Sequence, residues 1–477
     1  MTTVASETEA GRLPDGFAVE LDRDAKPLRG GGWFGGSPSR VLRLTSPGAA
    51  AWEELRTGTV RSRRAGLLAR RLTDAGIAHP LPPRLRGRPD VTVVIPVRDR
   101  ASELDRCLAS LAGAFPMVVV DDASADERAT RMVASAHGAR IIRLDANVGP
   151  AQARNVGTTA VDTELIAYVD SDTVPGHRWI AELAAHFADP VVAAVAPRIV
   201  PLATDSSAGR YTAARCNLDL GPHAARVVPY GRVSYLPTAA LLARRTAVNA
   251  VAGPDGPFDA AMSIGEDVDL VWRLHDAGWR IRYDPSQQVA HQEPATWRRL
   301  LRRRRIYGTS TPMLAVRHPD AMSPLFLYPW PTACVAALAA RRPAATLVAL
   351  AGTGLHMRAM LRRAGLRETE LPPAVVGKAA VQSVTQTWLG VAHYLIQFAP
   401  ALLAAGLLHR RTRMGAAGFA LAPPLADWIE RGRPIGPTRF VAGYWADEIA
   451  YGIGVVAQSV RERTVVPLRP IIVRGST

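Results

Sequence analysis

The sequence predicts an α/β protein with a doubly wound, mainly parallel sheet, a small winged-helix-like domain before it and a helical, apolar region after it. Strand-like and helix-like segments alternate between residues 91 and 196, which is the pattern of repeated βα units. The segment VTVVIPV (residues 91–97) is continuously apolar, as are strands buried on both faces of a parallel sheet. The length of 477 residues exceeds the about 250–300 residues at which single cores stop growing, so we expect two or three structural units.

The first domain is predicted over residues 1–85. Short strands at 17–21 and 40–44 flank a glycine-rich turn, and Ser46 followed by Pro47 is a favourable start for a helix. A second helix, at 62–75, ends before Gly76, where a glycine terminates helices well. Strands followed by two short helices predict a small winged-helix unit, and the Pro/Arg-rich segment 80–89 is the linker that follows it.

The second domain is predicted over residues 90–310. Its predicted helices are 102–112, 126–136, 149–159 and 176–187, and its predicted strands are 91–97, 117–121, 140–144, 165–169 and 191–196. In open parallel sheets, ligands bind beyond the carboxyl ends of the strands. The polar residues that follow these strands are therefore the candidates for a functional site.

The third region, residues 311–477, is rich in apolar stretches. The segment 388–408 contains no Asp, Glu, Lys or Arg and is long enough to span a bilayer. His409, Arg410 and Arg411 follow it, as basic residues do on the cytoplasmic side of a membrane span. This pattern predicts attachment to the cell membrane through the C-terminal region; the alternative is a buried helical hairpin. The N-terminal ten residues include Glu7 and Glu9 and no apolar run, so we expect a cytoplasmic catalytic domain.

The net charge of +16 comes almost wholly from arginine, since Lys26 and Lys378 are the only lysines. An arginine-rich composition does not by itself indicate a nucleic-acid partner, because an anionic membrane or a pyrophosphate ligand explains the charge equally well. We expect no nucleic-acid partner. The three cysteines show no C-x-x-C spacing, which is typical of a reducing compartment without structural zinc.

Acidic residues follow three of the predicted strands. Asp99 comes after the first strand, Asp122 after the second, and Asp170 with Asp172 after the fourth. Two carboxylates about 4 Å apart repel each other by several kcal/mol at an effective dielectric near 20, so a cation is expected among them. Oxygen ligands of this kind suit Mg²⁺ or Mn²⁺, which would neutralise a departing diphosphate. His291 is a candidate third ligand; the alternative is a structural histidine.

The remaining strand ends carry candidates for ligand binding. Asp122 and Ser124 precede a helix, so they either cap it or bind a ligand, with Asp122 accepting the N–H of a uracil. Gly149 precedes another helix, on which Arg154 and Asn155 could reach a ribose or a phosphate. The alternative for this second group is an ordinary capped helix.

A later acidic cluster, GEDVDL (residues 265–270), opens a helix. A displacement in which a hydroxyl is the attacking group needs a carboxylate that accepts the hydroxyl proton, and Asp267 is placed for that role. Glu266 and Asp269 remain alternatives, since any of the three could cap the helix. Farther on, six of the eight residues 298–305 are arginine. This run is either a basic face against lipid or a gate over a diphosphate.

Together these segments resemble the family 2 glycosyltransferases of the GT-A fold. The matching segments, in order, are VVIPV (93–97) with Asp99, VVDDAS (119–124), NVG (147–149) with ARN (153–155), YVDSD (168–172), and GEDVDL (265–270) with WRL (272–274). The resemblance implies a nucleotide-diphospho-sugar donor, Mg²⁺ or Mn²⁺, and inversion without a covalent intermediate. The Q-x-x-R-W motif of the processive members is absent, which leaves gating and processivity open.

The resemblance also implies roles for individual residues. Pro96, Asp99 and Asp122 match the nucleotide-base site, with Ser124 beside them. Arg154 matches the diphosphate and ribose side, and Asp170 and Asp172 match the metal-binding D-x-D. Asp267, with Glu266 next to it, matches the catalytic base.

Residues 40–52 (RVLRLTSPGAAAW) resemble the small peptide-recognition module of the PqqD type. A module of this type joined to a family 2 glycosyltransferase is similar to the mycofactocin-pathway glycosyltransferases of actinobacteria. That resemblance implies UDP-glucose as donor and premycofactocin, a peptide-derived redox cofactor precursor, as acceptor of a β-1,4-linked glucose chain. Three alternatives stay open: a lipid or cell-wall glycan acceptor, a non-catalytic scaffold that binds peptide or DNA, and a nucleotidyltransferase that releases pyrophosphate.

Overall fold

A computed structural model describes residues 11–202, 205–322 and 325–473. Contacts divide the chain into two compact units. The first comprises Met1–Leu202 and Cys216–Gln292, and the second comprises Ala203–Arg215 and Glu293–Thr477. The three predicted regions, 1–85, 90–310 and 311–477, stay a prediction. One helix, Trp297–Arg317, runs through the predicted boundary at residue 310.

The N-terminal segment of the first unit contains two small sheets and two helices. Its elements are β1 (Ala18–Leu21), β2 (Lys26–Pro27), β3 (Gly32–Gly35), β4 (Arg40–Arg43), α1 (Ser46–Thr57), α2 (Arg63–Asp74) and β5 (Ala78–Leu81). Thr45, one residue earlier than predicted, caps α1 by accepting the N–H of Gly48, and Ser62 caps α2 by accepting the N–H of Ala65. Strand β1 pairs with β5, and β3 lies between β2 and β4. The winged-helix assignment of this segment stays a prediction.

The α/β part follows. Its elements are β6 (Val91–Val97), α3 (Ala101–Leu111), β7 (Met117–Asp121), α4 (Glu127–Ala136), β8 (Arg140–Arg143), α5 (Pro150–Thr159), β9 (Leu165–Val169), β10 (Thr173–Val174), α6 (Arg178–Ala184), β11 (Val192–Pro201), α7 (Ser207–Ala214, which belongs to the second unit), β12 (Ala225–Arg226), β13 (Ala240–Arg244), α8 (Arg245–Ala250), α9 (Glu266–Asp276) and β14 (Arg280–His291). The order of the sheet is β10-β14-β11-β13-β9-β6-β7-β8, with β12 on β14.

The predicted α/β fold with a mainly parallel sheet is confirmed. Six of the nine strands in the described part of this sheet point in one direction: β6, β7, β8, β9, β11 and β14. Helices pack on both faces of the sheet, as two neighbouring residues of β6 show, since their side chains point to opposite faces. Val93 packs with Leu104 of α3 in the main core, whereas Val94 faces Gly157 of α5, where a Cβ would collide with the valine side chain.

The sheet register brings the predicted strand ends to one edge. Val97 of β6 is paired with Asp121 of β7, and Val94 of β6 with Tyr168 of β9, in parallel register. The loops that follow β6, β7 and β9 therefore leave the sheet at the same edge. These loops carry Asp99, Asp122 and the segment 170–172.

Ion pairs join the N-terminal segment to the α/β part of the same unit. Arg70 of α2 donates two hydrogen bonds of 2.8 Å to the Asp189 carboxylate, and both side chains are almost fully buried. Asp74 at the end of α2 accepts hydrogen bonds of 3.0 and 3.3 Å from Arg280 of β14. A buried bidentate pair of this kind is costly to break, so α2 and the α/β part form one packed body.

The second unit is helical. Besides α7 it contains α10 (Trp297–Arg317), β15 (Phe326–Leu327), α11 (Pro329–Ala339), α12 (Pro343–Arg363), α13 (Pro373–Phe398), α14 (Pro400–Leu408), α15 (Arg413–Glu430), α16 (Pro437–Arg461) and β16 (Ile471–Ile472). Its core includes Tyr211, Leu300, Phe440 and Tyr444. Buried arginines are balanced by acids: Arg304 of α10 contacts Asp447 of α16 at 2.6 Å. The predicted choice between a lipid-facing and a gating role for residues 298–305 stays open.

The apolar segment 388–408 is not one continuous helix. It is divided at Ala399, where the helix axis bends by 103° between α13 and α14. Pro400 lacks a backbone N–H and disfavours helical geometry at the residue before it, and Ala399 accordingly has φ −139° and ψ 44°. Among the described residues, the single unbroken helix that is long and apolar enough to cross a membrane is α12, which the sequence analysis did not single out.

Candidate active site

The turn after β9 places two carboxylates at the edge of the sheet. The carbonyl oxygen of Asp170 accepts hydrogen bonds from the N–H of Thr173 at 3.1 Å and from its hydroxyl at 2.8 Å, which closes the turn. The N–H of Asp170 donates to the carbonyl of Ala239 in the neighbouring strand region at 3.2 Å. These bonds hold Asp170 and Asp172 in fixed positions after the buried strand.

Arg154 links this turn to the acidic helix start. Its guanidinium donates to Asp170 Oδ1 at 2.6 Å and to Glu266 Oε1 at 2.6 Å, and the side chain is almost fully buried. Nearby Asp170 and Glu266 raise the pKa of Arg154 although burial opposes this. A buried cation thus balances two carboxylates that come from different loops. The sequence analysis had assigned this arginine to a diphosphate or ribose instead.

Asp267 is the carboxylate suited to accept a proton. It lies in the first turn of α9, after Gly265, whose φ of 81° lets the chain turn sharply into the helix. Burial, and then the negative charge of Glu266, raise the pKa of Asp267 to about 7, while Arg154 opposes the shift. A carboxylate whose pKa is near neutrality is effective as a general base at physiological pH.

The other two acids of the cluster have structural partners. Glu266 is bonded to Arg154, and the buried Asp269 pairs with Arg273 of the same helix at 2.8 Å. Arg273 also donates to the carbonyl of Pro257 at 2.6 Å, so the Asp269 pair ties α9 to the preceding loop. Among the hydrogen bonds of the described residues, the Asp267 carboxylate accepts one from the N–H of Val268 at 2.8 Å. This difference favours Asp267 as the base.

The loops after β6 and β7 are held together by their own acids. Asp122 is buried, and its carboxylate accepts the N–H groups of Val148 at 2.7 Å and Gly149 at 3.0 Å. Asp122 therefore fixes the loop before α5, a role that was not predicted. Asp99 accepts the N–H of Ala125 at 2.7 Å, and its own N–H donates to the Ser124 hydroxyl at 2.9 Å.

The neighbouring Asp121 and Pro96 complete this edge. Asp121 is fully buried and accepts hydrogen bonds from the N–H of Ser124 at 3.0 Å and from Arg143 at 2.5 Å. Pro96 is the one partly exposed residue of β6. The structure thus brings Pro96, Asp99 and Ser124 to one edge of the sheet with Asp122.

The structure gives Asn155 a different role from the predicted one. Its amide nitrogen donates to the carbonyl of Phe258 at 2.7 Å, and its amide oxygen accepts the N–H of Phe258 at 2.9 Å. The side chain is buried and holds the loop before α9 against α5. Both ends of the amide already contact backbone, and the prediction that Asn155 reaches a ribose or phosphate stays a prediction.

The three predicted metal ligands are only partly assembled. His291 lies beside the turn because β14 pairs with β10, and its Nε2 is 3.5 Å from Asp172 Oδ1. Asp170 instead bonds to Arg154, and Arg100 pairs with Asp172. Within the described ranges, no group of three or more His, Cys, Asp or Glu side chains is arranged to hold a metal ion. The assignment of Asp170, Asp172 and His291 as metal ligands stays a prediction.

Residues 92–249 match the family described as "Glycosyl transferase family 2". The "Pre-mycofactocin glycosyltransferase" of Mycobacterium tuberculosis (strain ATCC 25618 / H37Rv) is 38% identical over 479 residues, covering 97% of this chain and 99% of that protein. The chain belongs to glycosyl transferase family 2. The match therefore covers the N-terminal segment and the helical unit as well as the α/β part of this glycosyltransferase.

Two further similarities are more limited. The "Validoxylamine A glucosyltransferase" of Streptomyces hygroscopicus subsp. jinggangensis is 33% identical over 118 residues, which covers 22% of the glycosyltransferase and 28% of that protein. Among solved structures, the "Mannosyltransferase PcManGT from Pyrobaculum calidifontis in complex with GDP-Man and Mn2+" is 17% identical, covers 72% of this chain and 87% of that one, and has a TM-score of 0.38.

Arg100 is the residue of the glycosyltransferase site that the sequence analysis missed. It follows Asp99 in the loop after β6, is half-exposed, and pairs with the Asp172 carboxylate. Its position at a strand end could have drawn attention to it, because that is the criterion by which Asp99 was chosen. Its pairing could not be foreseen, since 72 residues separate Arg100 from Asp172.

Proposed function

We propose that this glycosyltransferase transfers glucose from UDP-glucose to premycofactocin with inversion at the anomeric carbon, and that repeated transfer builds a β-1,4-linked chain in mycofactocin biosynthesis. The name of the relative that is 38% identical over nearly the whole chain supports the acceptor. The N-terminal segment, residues 1–85, would recognise that acceptor, and residues 90–310 would carry out the transfer.

The observation that supports the proposed chemistry is the raised pKa of the Asp267 carboxylate. This carboxylate has a pKa raised to about 7 and lies next to Glu266, which Arg154 connects to the turn after β9. In the proposed reaction, Asp267 accepts the proton of the acceptor hydroxyl as that oxygen bonds to the anomeric carbon. The bond from the anomeric carbon to the diphosphate breaks on the opposite side, so no covalent intermediate with the protein forms.

The residues after β9 fit a divalent metal as part of its ligand set. Asp170 and Asp172 offer the hard oxygen ligands that Mg²⁺ and Mn²⁺ prefer, and His291 stands 3.5 Å from Asp172. Such ions commonly take their remaining ligands from substrate phosphates and water, which agrees with the incomplete set seen here. A metal held by these residues would neutralise charge on the leaving diphosphate.

The donor nucleotide would bind along the same edge of the sheet. We propose that Pro96, Asp99 and Ser124 contact the nucleotide base. Asp122 would also accept a hydrogen bond from the base, in addition to the two backbone N–H groups that it already accepts. A carboxylate has about four acceptor positions, so two such bonds do not exhaust it. Arg154 would stabilise the diphosphate side indirectly, by holding Asp170.

The site would operate in the cytoplasm, with the second unit attached to the membrane. Many large apolar side chains that are exposed lie on its helices, including Leu347, Leu355 and Leu408. This surface also keeps a lipid-linked or cell-wall glycan acceptor as the second candidate. The two candidates differ in product, since one yields a glycosylated peptide-derived cofactor and the other a glycolipid or glycan.

The test compares Asp267→Asn with Asp276→Asn, which alters an exposed carboxylate at the other end of the same helix. Each protein is incubated with UDP-glucose, Mg²⁺ or Mn²⁺, and premycofactocin, and mass spectrometry counts added hexoses. We expect Asp267→Asn to lower kcat by about 10² to 10⁴, the usual contribution of a general base, and Asp276→Asn to match the parent. Transfer by Asp267→Asn at the parent's rate would refute the assignment, and a parent active only on lipid acceptors would favour the second candidate.

A further inference from the structure

The sharp bend in the helical unit presents apolar side chains outward. Helix α14 has nine residues and buries only Leu403. The residues from α14 to the start of α15, 402–414, form what we call the apolar corner. Its exposed large apolar side chains are Leu402, Leu407, Leu408 and Met414, with Leu408 89% exposed.

The apolar corner is held in shape by its own hydrogen bonds. The Thr412 hydroxyl donates to the carbonyl of Gly406 at 2.8 Å, and the Thr412 N–H donates to the carbonyl of His409 at 3.1 Å. A Cβ added to Gly406 would lie 3.0 Å from the Cβ of Ala416, so α14 and α15 pack closely there. The leucines are therefore directed outward by a fixed turn, because the inner side of the corner is filled by backbone contacts.

Basic residues accompany the exposed leucines. Arg410, Arg411 and Arg413 are all exposed and follow directly after α14. No Asp or Glu occurs anywhere in residues 371–426 of the sequence. Apolar side chains next to arginines, without acids, are typical of segments that bind the interface of an anionic bilayer.

We propose that the apolar corner inserts into one leaflet of an anionic membrane, with Arg410, Arg411 and Arg413 at the level of the lipid phosphates. This deepens the membrane attachment in the proposed function by naming its contact surface and the lipid charge. Nine residues of α-helix extend about 14 Å. That length reaches into one leaflet but cannot cross a hydrocarbon core of about 30 Å.

Charge distinguishes a lipid from a second copy of the chain as the occupant. In a symmetric dimer the same patch faces itself, so the three arginines of one copy would meet those of the other. The apolar corner carries no acid that could neutralise them, and the whole chain has a net charge of +16. Anionic lipid headgroups provide the opposite charge, and acyl chains accommodate the leucines.

The experiment measures co-sedimentation of the full-length protein with vesicles, without nucleotide sugar. We expect binding to vesicles of phosphatidylcholine with phosphatidylglycerol, weakening as salt increases. Leu402→Glu/Leu408→Glu should lower the partition constant at least tenfold, and Arg410→Gln/Arg411→Gln/Arg413→Gln by about 100-fold on anionic vesicles. The matched control is Met132→Glu, which alters an exposed apolar side chain on α4 of the first unit and should bind as the parent does.

The proposal is overturned if the leucine pair variant binds like the parent, if the parent binds pure phosphatidylcholine vesicles equally well, or if Met132→Glu releases the protein as the leucine pair variant should. It is also overturned if the parent binds no vesicles and a concentration-dependent dimer is lost in the leucine pair variant. Circular dichroism and hexose transfer to a water-soluble acceptor should be unchanged in that variant. This activity readout separates failure of the membrane contact from failure of the proposed transfer reaction.

Discussion

Replacing Arg154 by methionine removes the cation that joins the two halves of the site. Methionine keeps an unbranched apolar chain but has no charge, so Glu266 and Asp170 would remain without the partner that now lies 2.6 Å from each. Breaking a buried ion pair in this way typically costs about 3–5 kcal/mol. The Asp170 side chain is 29% exposed and can regain some hydration, so we expect the lower value, about 3 kcal/mol.

This loss should be visible in urea unfolding followed by tryptophan fluorescence. At pH 8, a loss of about 3 kcal/mol should lower the unfolding midpoint by up to about 1 M urea, because the m-value of a chain of this size is about 3 kcal/mol/M or larger.

The double variant Arg154→Met/Glu266→Gln is the matched control. It removes the more buried of the two stranded charges and should recover most of the lost midpoint at pH 8, because removing both partners of a buried pair costs far less than removing one. Parent-like stability of Arg154→Met at pH 8 would refute the argument. So would a double variant that is no more stable than the single one.

Two further predictions concern the same site. Asp267 must be deprotonated to accept a proton and its pKa is raised to about 7, so kcat/KM should increase with pH up to about 7 and then level off. Glu266→Gln should move this rise to lower pH, because it removes a neighbouring negative charge, and a pH-independent kcat/KM from pH 5 to 8 would contradict the assignment. Because Arg100 pairs with Asp172, the Arg100→Gln variant should bind Mn²⁺, in the absence of nucleotide sugar, about 1.4- to 5-fold more tightly than the parent. Electron paramagnetic resonance of free Mn²⁺ measures this affinity, and an unchanged or weaker affinity would show that Arg100 does not compete with the metal.

Much of the fold could be predicted because its signals are local. The continuous apolar run at 91–97 and the alternation of strands and helices to residue 196 depend on neighbours a few positions apart. Every strand predicted in that range is present, with ends that differ by a few residues. The broken helix at Ala399 could have been anticipated from Pro400, but the angle of 103° depends on how α14 packs against α15.

The sequence could place the candidate residues at one edge of the sheet, but it could not give their contacts. Acids at strand ends identified Asp99, Asp122, Asp170 and Asp172, since parallel strands bring their carboxyl ends to one edge. The sequence could not separate Glu266, Asp267 and Asp269, because all three occupy the first turn of the same helix. Pairing separated them: Glu266 bonds to Arg154, from which it is 112 residues distant, and Asp269 bonds to Arg273.

The sequence by itself determined the α/β alternation, the acids at the sheet edge and the family resemblance. Only the tertiary structure decided that Asn155 holds the backbone of Phe258, that Asp122 fixes the loop at Gly149, and that Arg154 joins two loops. The physical reason is that secondary structure follows from side-chain periodicity over a few residues, whereas the charge and availability of a carboxylate depend on which distant groups folding brings within about 3 Å.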